Sequence, residues 1–219
     1  MVPWEELGVA EAPGGVTLRL KRRGAEYSIR VGTAELMNSR LSGSEVALAR
    51  LPLAAVAAPR PRVLIGGLGM GFTLRAALEA SPLAQITVAE LLPEVVAWAR
   101  GPMAPLFHGC LDETRVRVAV EDVAGPIREG GWDAILLDVD NGPEAFTTPA
   151  NDALYGRAGL AAARAALNSG GVLAVWSAAP DAAFGRRMRE AGFRVTEERV
   201  KADRGKRGAR HVIWLGQVG

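Results

Sequence analysis

The sequence predicts an α/β fold: a seven-stranded, mostly parallel sheet covered by helices on both faces, preceded by a short N-terminal β-hairpin and helix region. Three observations carry that prediction. From Arg62 onward, apolar strand-like runs alternate with helix-like runs of about ten residues, the pattern of strands joined by crossover helices. The runs Ala134–Leu137 and Val172–Val175 are continuously apolar, as in strands buried on both sides. The first of these strands, Val63–Ile65, enters a turn holding Gly66, Gly67, Gly69 and Gly71, and a helix leaves it.

The elements follow in order. Thr17–Arg22 and Glu26–Val31 alternate in polarity around Arg23-Gly24, which predicts a hairpin. Met37-Asn38-Ser39-Arg40 reads as a polar loop. Ser42 or Ser44 can cap a helix running to about Ala55, and Pro59 and Pro61 stop it within the linker Ala57–Pro61. This divides the chain into a small region, 1–58, and an α/β domain, 59–219. Within the latter, Val63–Ile65, Gln85–Glu90, Val116–Val120, Ala134–Asp138 and Val172–Trp176 are strands. Phe72–Ala80, Pro93–Arg100, a short stretch after Asp122, Tyr155–Leu167 and Asp181–Ala191 are helices. Pro93 suits a first helical turn, Asn168-Ser169-Gly170-Gly171 closes a helix, and Gly192 suits a C-cap. Phe193–Arg199 and His211–Leu215, joined without a helix, place one antiparallel strand at the end of the sheet.

Composition narrows the function. The 219 residues are 49% hydrophobic and 23% charged, enough for one globular unit with a sizeable core. A net charge of +2 gives no reason to expect nucleic acid as a partner. The run Lys201, Arg204, Lys206, Arg207 and Arg210 reads as a solvated hairpin tip. Cys110 is the single cysteine, so no internal disulfide forms, which suits a cytoplasmic setting. Met1–Gly8 lacks a basic segment followed by an apolar run, so no signal peptide is expected. The most apolar stretch, Leu51–Ala58, is far short of the ~20 residues that span a bilayer. His108, His211 and Cys110 do not make a four-ligand zinc spacing, so no metal is expected. Trp98, Trp132, Trp176 and Trp214 read as core or interface.

The glycine turn is the candidate binding loop. Glycine permits a tight turn and close approach of a ligand, and the helix after it presents unpaired N–H groups. A dinucleotide pattern would need Gly where Phe72 stands, and no Gly-Lys-Ser/Thr run is present. What remains is G-x-G-x-G at Gly67, Gly69 and Gly71, an arrangement common in methyltransferase-type folds; a turn needed only for packing is the structural alternative. Glu90 follows Gly71 by 19 positions at the end of the next strand, where a carboxylate can accept both hydroxyls of a ribose. Glu121-Asp122 ends the third strand, where Asp122 can meet an adenine amine or cap the next helix. Asp138 ends the fourth, before Val139-Asp140-Asn141-Gly142-Pro143. There Asp138, Asp140 and Glu144 can form an acidic mouth for a cation, although Asp140-Asn141-Gly142-Pro143 is also turn chemistry.

Taken together, Val-Leu-Ile-Gly-Gly-x-Gly-x-Gly, Val-Ala-Glu-Leu-Leu-Pro-Glu-Val-Val, Glu-Asp-Val and Trp-Asp-Ala-Ile-Leu-Leu-Asp-Val-Asp-Asn-Gly-Pro resemble the spermidine synthase superfamily, from about Leu36 to Ala178. The resemblance implies the class I methyltransferase fold with a small N-terminal β part. It implies that Gly67, Gly69 and Gly71 line the cofactor, that Glu90 holds its ribose, and that Asp122 and Val123 hold its adenine, with Gly66 and Leu91 also among the cofactor-binding residues. Asp138 matches the family's catalytic aspartate and also borders the cofactor. It implies a homodimer as well, for which the hairpin offers an edge.

The departures shape the expected chemistry. The family's aminopropyltransferases carry an Asp in the glycine loop that holds the amine of decarboxylated S-adenosylmethionine; Gly69 stands there. Their Asp-Ser-Ser/Thr-Asp-Pro corresponds to Asp138 through Gly142, with Asn141 at the fourth position. Their Tyr-His/Gln-Glu corresponds to Gly43-Ser44-Glu45, leaving only the Glu, and Trp176 stands near the place of a Gln. Bare N–H groups at Gly69 suit the carboxylate of intact S-adenosylmethionine. The expectation is therefore an S-adenosylmethionine-dependent methyl transfer to a small acceptor, possible cationic amines included. The alternatives are aminopropyl transfer from decarboxylated S-adenosylmethionine, with Asp138 and Asp140 as catalytic carboxylates, or cofactor binding without turnover.

Overall fold

Val63 and Ile65 point to one face of their strand and Leu64 to the other, and all three are buried, so a layer must cover each side. The computed structural model describes residues 2–138, 153–203 and 209–219. The chain opens with an antiparallel meander in the order β1-β2-β3-β4: β1 (Glu5–Ala12), β2 (Val16–Arg23), β3 (Glu26–Val31) and β4 (Ala34–Asn38). The expected hairpin is its centre, with Leu20 opposite Ile29. Two further strands flank it. In β1, Glu5, Glu6 and Gly8 break the apolar alternation that would mark a strand. β4 takes Met37 and Asn38 out of the expected loop, because Glu35 accepts from Ser28 Oγ and Asn38 Nδ2, both at 2.8 Å, and pairs with Arg40 at 2.9 Å.

A seven-stranded sheet follows, in the order β10-β11-β9-β8-β5-β6-β7. Its strands are β5 (Arg62–Gly66), β6 (Gln85–Glu90), β7 (Val116–Val120), β8 (Trp132–Leu137), β9 (Leu167–Ser177), β10 (Arg194–Lys201) and β11 (Arg210–Gln217). The pairings β5–β6, β6–β7, β5–β8 and β8–β9 are parallel, and β11 runs antiparallel to β9 and β10. The helices are α1 (Gly43–Ala55), α2 (Phe72–Ala80), α3 (Pro93–Arg100), α4 (Ala104–Phe107), α5 (Ala124–Glu129), α6 (Arg157–Ala166) and α7 (Ala182–Glu190). Asp181 caps α7, accepting from Ala183 N and Phe184 N.

The stretch Asn168–Gly171, expected to close a helix, instead lies in β9. The reason is pairing: Asn168 Nδ2 donates to Asp133 Oδ1 at 2.8 Å, and Val218 N donates to Gly171 O at 2.9 Å, so these polar residues are laddered to strands on both sides.

One core face joins Val63, Ile65, Leu74, Ile86 and Val88 to Leu48 of α1 and to Leu20 and Ile29 of the meander. The other joins Leu64, Ile135, Leu137, Leu173 and Val175 to Phe184 and Trp214. Tyr27 Oη donates to Pro102 O at 2.7 Å, holding the meander against the segment after α3. The four tryptophans expected in the core are buried. Among the described residues, no helix is long and apolar enough to cross a membrane.

The strand order reverses between β5 and β8, which opens a crevice beyond their carboxyl ends. The glycine turn after β5, Glu90 at the end of β6 and Asp138 after β8 all lie at that end of the sheet.

Candidate functional site

The turn between β5 and α2 is held from below. Gly67 N donates to Ala89 O at 2.8 Å, prolonging the β5–β6 ladder, and Gly71 N donates to Leu68 O at 2.9 Å. Two of its glycines are constrained differently. Gly71 is left-handed, with φ 78°, and a Cβ there would run into the ring of Phe107. Gly69 is also left-handed, with φ 49°, but a Cβ there would meet only the thioether of Met37, its sulfur at 3.5 Å. The meander thus reaches over the loop through Met37. Gly66 packs tightly, since a Cβ would come within 2.9 Å of Val123 and 3.0 Å of Leu137.

Glu90 lies beneath this loop, only 8% exposed. Its Oε2 accepts from Leu68 N at 2.9 Å and its Oε1 from Leu92 N at 3.0 Å. The carboxylate therefore ties the glycine turn to the start of α3. Beside it Leu91 is 48% exposed, and Val120 at the end of β7 is 52% exposed. Exposed apolar groups next to a buried carboxylate match the donor and stacking needs of a nucleoside. Asp122 is exposed, and its Oδ1 accepts from Ala124 N at 2.8 Å, a local turn just ahead of α5, whose N-cap is Val123. Val123 is buried against Gly66.

Asp138 N donates to Gly66 O at 3.0 Å, which fixes the end of β8 against β5. Its Oδ2 accepts from Thr73 Oγ1 at 3.2 Å. Burial pushes the Asp138 carboxyl up to about 6, against the Thr73 hydrogen bond, which lowers it. Glu45, in the first turn of α1, is pushed up to about 7, first by burial and next by the negative charge of Asp138. These two carboxyls titrate as a pair. Asp140 and Glu144, expected to complete an acidic mouth, lie outside the described residues.

Around Glu45, sequence reasoning placed Ser44 and Trp176 at positions matching the family's site but missed His211. Ser44 Oγ donates to Glu45 Oε2 at 2.9 Å, and His211 Nδ1 lies 2.9 Å from the same Ser44 Oγ. The His211 ring sits edge-on to Trp176, with centroids 4.6 Å apart. Trp176 Nε1 is buried with no hydrogen-bond partner among the described residues. His211 is 166 positions from Glu45, so no spacing rule joins them. Thr73, by contrast, is two positions past Gly71, where a polar side chain in the first helical turn is a readable signal. Neither Ser42 nor Ser44 caps α1 with its side chain.

No family model matches the chain. It is 33% identical over 149 residues to a polyamine aminopropyltransferase of Mycobacterium tuberculosis (strain ATCC 25618 / H37Rv), a match covering 63% of this chain and 28% of that protein. It is 31% identical over 121 residues to the polyamine aminopropyltransferase of Pyrobaculum calidifontis, covering 52% of this chain and 41% of that one. The matched stretches are thus less than half the length of these relatives. Among solved structures, a spermidine synthase in complex with the transition-state analogue AdoDATO superposes with a TM-score of 0.78 at 17% identity, over 98% of this chain and 72% of that one. Spermidine synthase from Thermotoga maritima gives 0.78 at 18% identity, over 98% and 73%. The chain is spermidine synthase-like and has the class I methyltransferase-like fold.

These similarities correct one expectation. Methyl transfer from intact S-adenosylmethionine was inferred from Gly69 alone, yet the sequence relatives are aminopropyltransferases. A glycine at 69 carries no side-chain charge of its own to select between the two donors. The space above it is bounded by Met37, and the charge that distinguishes the site is the Glu45–Asp138 pair.

Proposed function

We propose that this spermidine synthase-like chain is an aminopropyltransferase. It would use decarboxylated S-adenosylmethionine as donor and a small polyamine as acceptor. The observation that carries the reading is the pair of half-buried carboxyls, Glu45 and Asp138, beside the glycine turn, in a chain similar to polyamine aminopropyltransferases. Two carboxyls in a shielded pocket favour a cation, and an alkyl ammonium, once it has lost a proton, becomes the amine that this donor alkylates.

In this reading Gly66, Gly67, Gly69 and Gly71 line the donor, Glu90 holds its ribose, and Leu91, Asp122 and Val123 border its adenine. When bound, the donor supplies a sulfonium, an already activated electrophile. Asp138, fixed by Thr73, orients the acceptor ammonium, and the Glu45–Asp138 pair removes one proton from it. The freed nitrogen lone pair forms a bond to the propyl carbon as the carbon–sulfur bond breaks, and that electron pair leaves on sulfur. The remaining rate comes from alignment of nitrogen, carbon and sulfur.

The deciding experiment incubates the protein with decarboxylated S-adenosylmethionine and putrescine and follows methylthioadenosine by mass spectrometry. Product formed in proportion to enzyme supports the reading. Donor binding by calorimetry without product would make the chain a binding homologue instead. The proposal also includes a cytoplasmic location and a homodimer formed through the meander edge, the latter checked by sedimentation.

A further inference from the structure

Glu45, Ser44 and His211 form an unbroken line of hydrogen-bonding atoms that starts at the carboxyl pair and ends on β11. The two links are both 2.9 Å, and all three side chains are partly or fully buried. We propose that this line is a proton relay, in which His211 drains the site of the proton that Glu45 takes from the acceptor amine. The inference rests on the aminopropyl-transfer reading above, which needs an amine acceptor that arrives protonated.

The line satisfies its atoms in two alignments. In one, ionised Glu45 accepts from Ser44 Oγ, and Ser44 accepts from Nδ1–H of His211. In the other, protonated Glu45 donates to Ser44 Oγ, and Ser44 donates to an unprotonated Nδ1. Transfer converts the second into the first. The carboxyl proton of Glu45 passes to Ser44 Oγ while the hydroxyl proton of Ser44 passes to Nδ1. Glu45 returns to the carboxylate, Ser44 to the hydroxyl, and His211 becomes an imidazolium. His211 then releases a proton from Nε2 to water. Over one turnover the acceptor ammonium gives up one proton, the new secondary ammonium keeps two, and one proton leaves the protein.

The surroundings suit the task. Trp176 sets the tilt of the imidazole from one side. Burial holds His211 below the ordinary histidine pKa, so the ring is neutral near pH 7 and able to accept a proton. The ionisable groups toward its Nδ1 side are Glu45 of α1 and, behind it, Asp138 after β8. On β10 its cross-strand neighbour is Val200. Lys201 and Arg210 form the next pair and point to the opposite face by strand alternation. Asp203, beyond the end of β10, lies near the start of α1, where Gly43 N donates to Ala202 O at 2.9 Å.

The test has two arms. In the first, ¹⁵N NMR of the unliganded protein follows the tautomer and titration of His211; His108 is the only other histidine and is assigned with His108→Asn. Ser44→Ala and Glu45→Gln should each change the His211 tautomer and titration midpoint. In the second, His211→Asn keeps a hydrogen-bonding group toward Ser44 but cannot carry a proton. It should lower kcat about 10-fold or more at pH 7 with KM for the amine unchanged. Its acid limb should shift to higher pH, and free imidazole should restore part of the rate, while His108→Asn behaves as wild type. A His211 signal indifferent to both α1 substitutions overturns the relay, whatever the activity. So does a His211→Asn profile that superposes on wild type. Wild-type protein that makes no methylthioadenosine overturns the catalytic role together with the function it serves, and an intact NMR coupling would then locate the failure in the function.

Discussion

Thr73 Oγ1 donates to Asp138 Oδ2 at 3.2 Å and so ties the first turn of α2 to the carboxyl end of β8. This hydrogen bond favours the ionised carboxylate, against the burial that raises it. Thr73→Val keeps the shape and removes the donor. The Asp138 carboxyl then rises further, and the acid limb of the kcat/KM profile should move to higher pH. The loss of stability should be small, about 1 kcal/mol, as for one hydrogen bond. A pH–rate series on both proteins checks the shift.

The carboxyl pair also predicts a dependence of stability on pH. Asp138 is raised from 3.8 to about 6 in the folded chain, so between those values the native state binds more protons than the unfolded one. Stability therefore falls as pH rises through that window. Asp138→Asn removes this contribution. The variant should match wild type near pH 4 and exceed it at pH 8, by on the order of 1 kcal/mol, because Asp138 keeps part of its surface in the crevice. Urea melts at the two pH values measure the difference.

Much of this site was legible in the sequence because it is local. Gly67, Gly69, Gly71, Glu90 and Asp138 each sit at a strand end, and the strand–turn–helix pattern locates those ends without tertiary knowledge. What escaped is long-range or edge-bound. His211 meets Ser44 only because β11 inserts antiparallel beside β9 and α1 crosses that part of the sheet. Met37 reaches the glycine turn only because β4 completes the meander, and β4 is held by ion pairs of Glu35 rather than by an apolar alternation. The choice of chemistry was misread for the same reason. One loop residue, Gly69, decided the reading, while Glu45, matched to the family's Glu but 93 positions before Asp138, could not be paired with it from the sequence.

Glu90 offers a separable test of loop bracing and ligand binding. Glu90→Gln replaces one acceptor oxygen with a donor, which faces either Leu68 N–H or Leu92 N–H. A buried N–H left without an acceptor costs about 1–3 kcal/mol, so the variant should melt several degrees lower. Donor affinity should fall by a larger factor than that of Asp122→Asn, whose carboxylate is exposed and accepts from Ala124 N. Calorimetric titration of the two variants with decarboxylated S-adenosylmethionine checks the order.

Two of the turn's left-handed glycines, Gly69 and Gly71, should respond differently to substitution. Gly71→Ala places a methyl group against the Phe107 ring at φ 78°, so both strain and overlap act. The loss should be on the order of 2–4 kcal/mol, and the glycine turn should deform. Gly69→Asp places its side chain at φ 49°, a region that Asp tolerates, with only the flexible Met37 thioether within reach. Stability should change by less than about 1 kcal/mol. The added carboxylate stands where the resemblance puts the group that holds the donor's amine, so affinity for decarboxylated S-adenosylmethionine should rise about 10-fold, as for a charge-assisted hydrogen bond of moderate strength. Intact S-adenosylmethionine carries a carboxylate beside that amine and should gain less, because the new charge repels it. Parallel titrations with the two compounds read the discrimination directly, and equal gains would mean that residue 69 does not face the aminopropyl end of the donor.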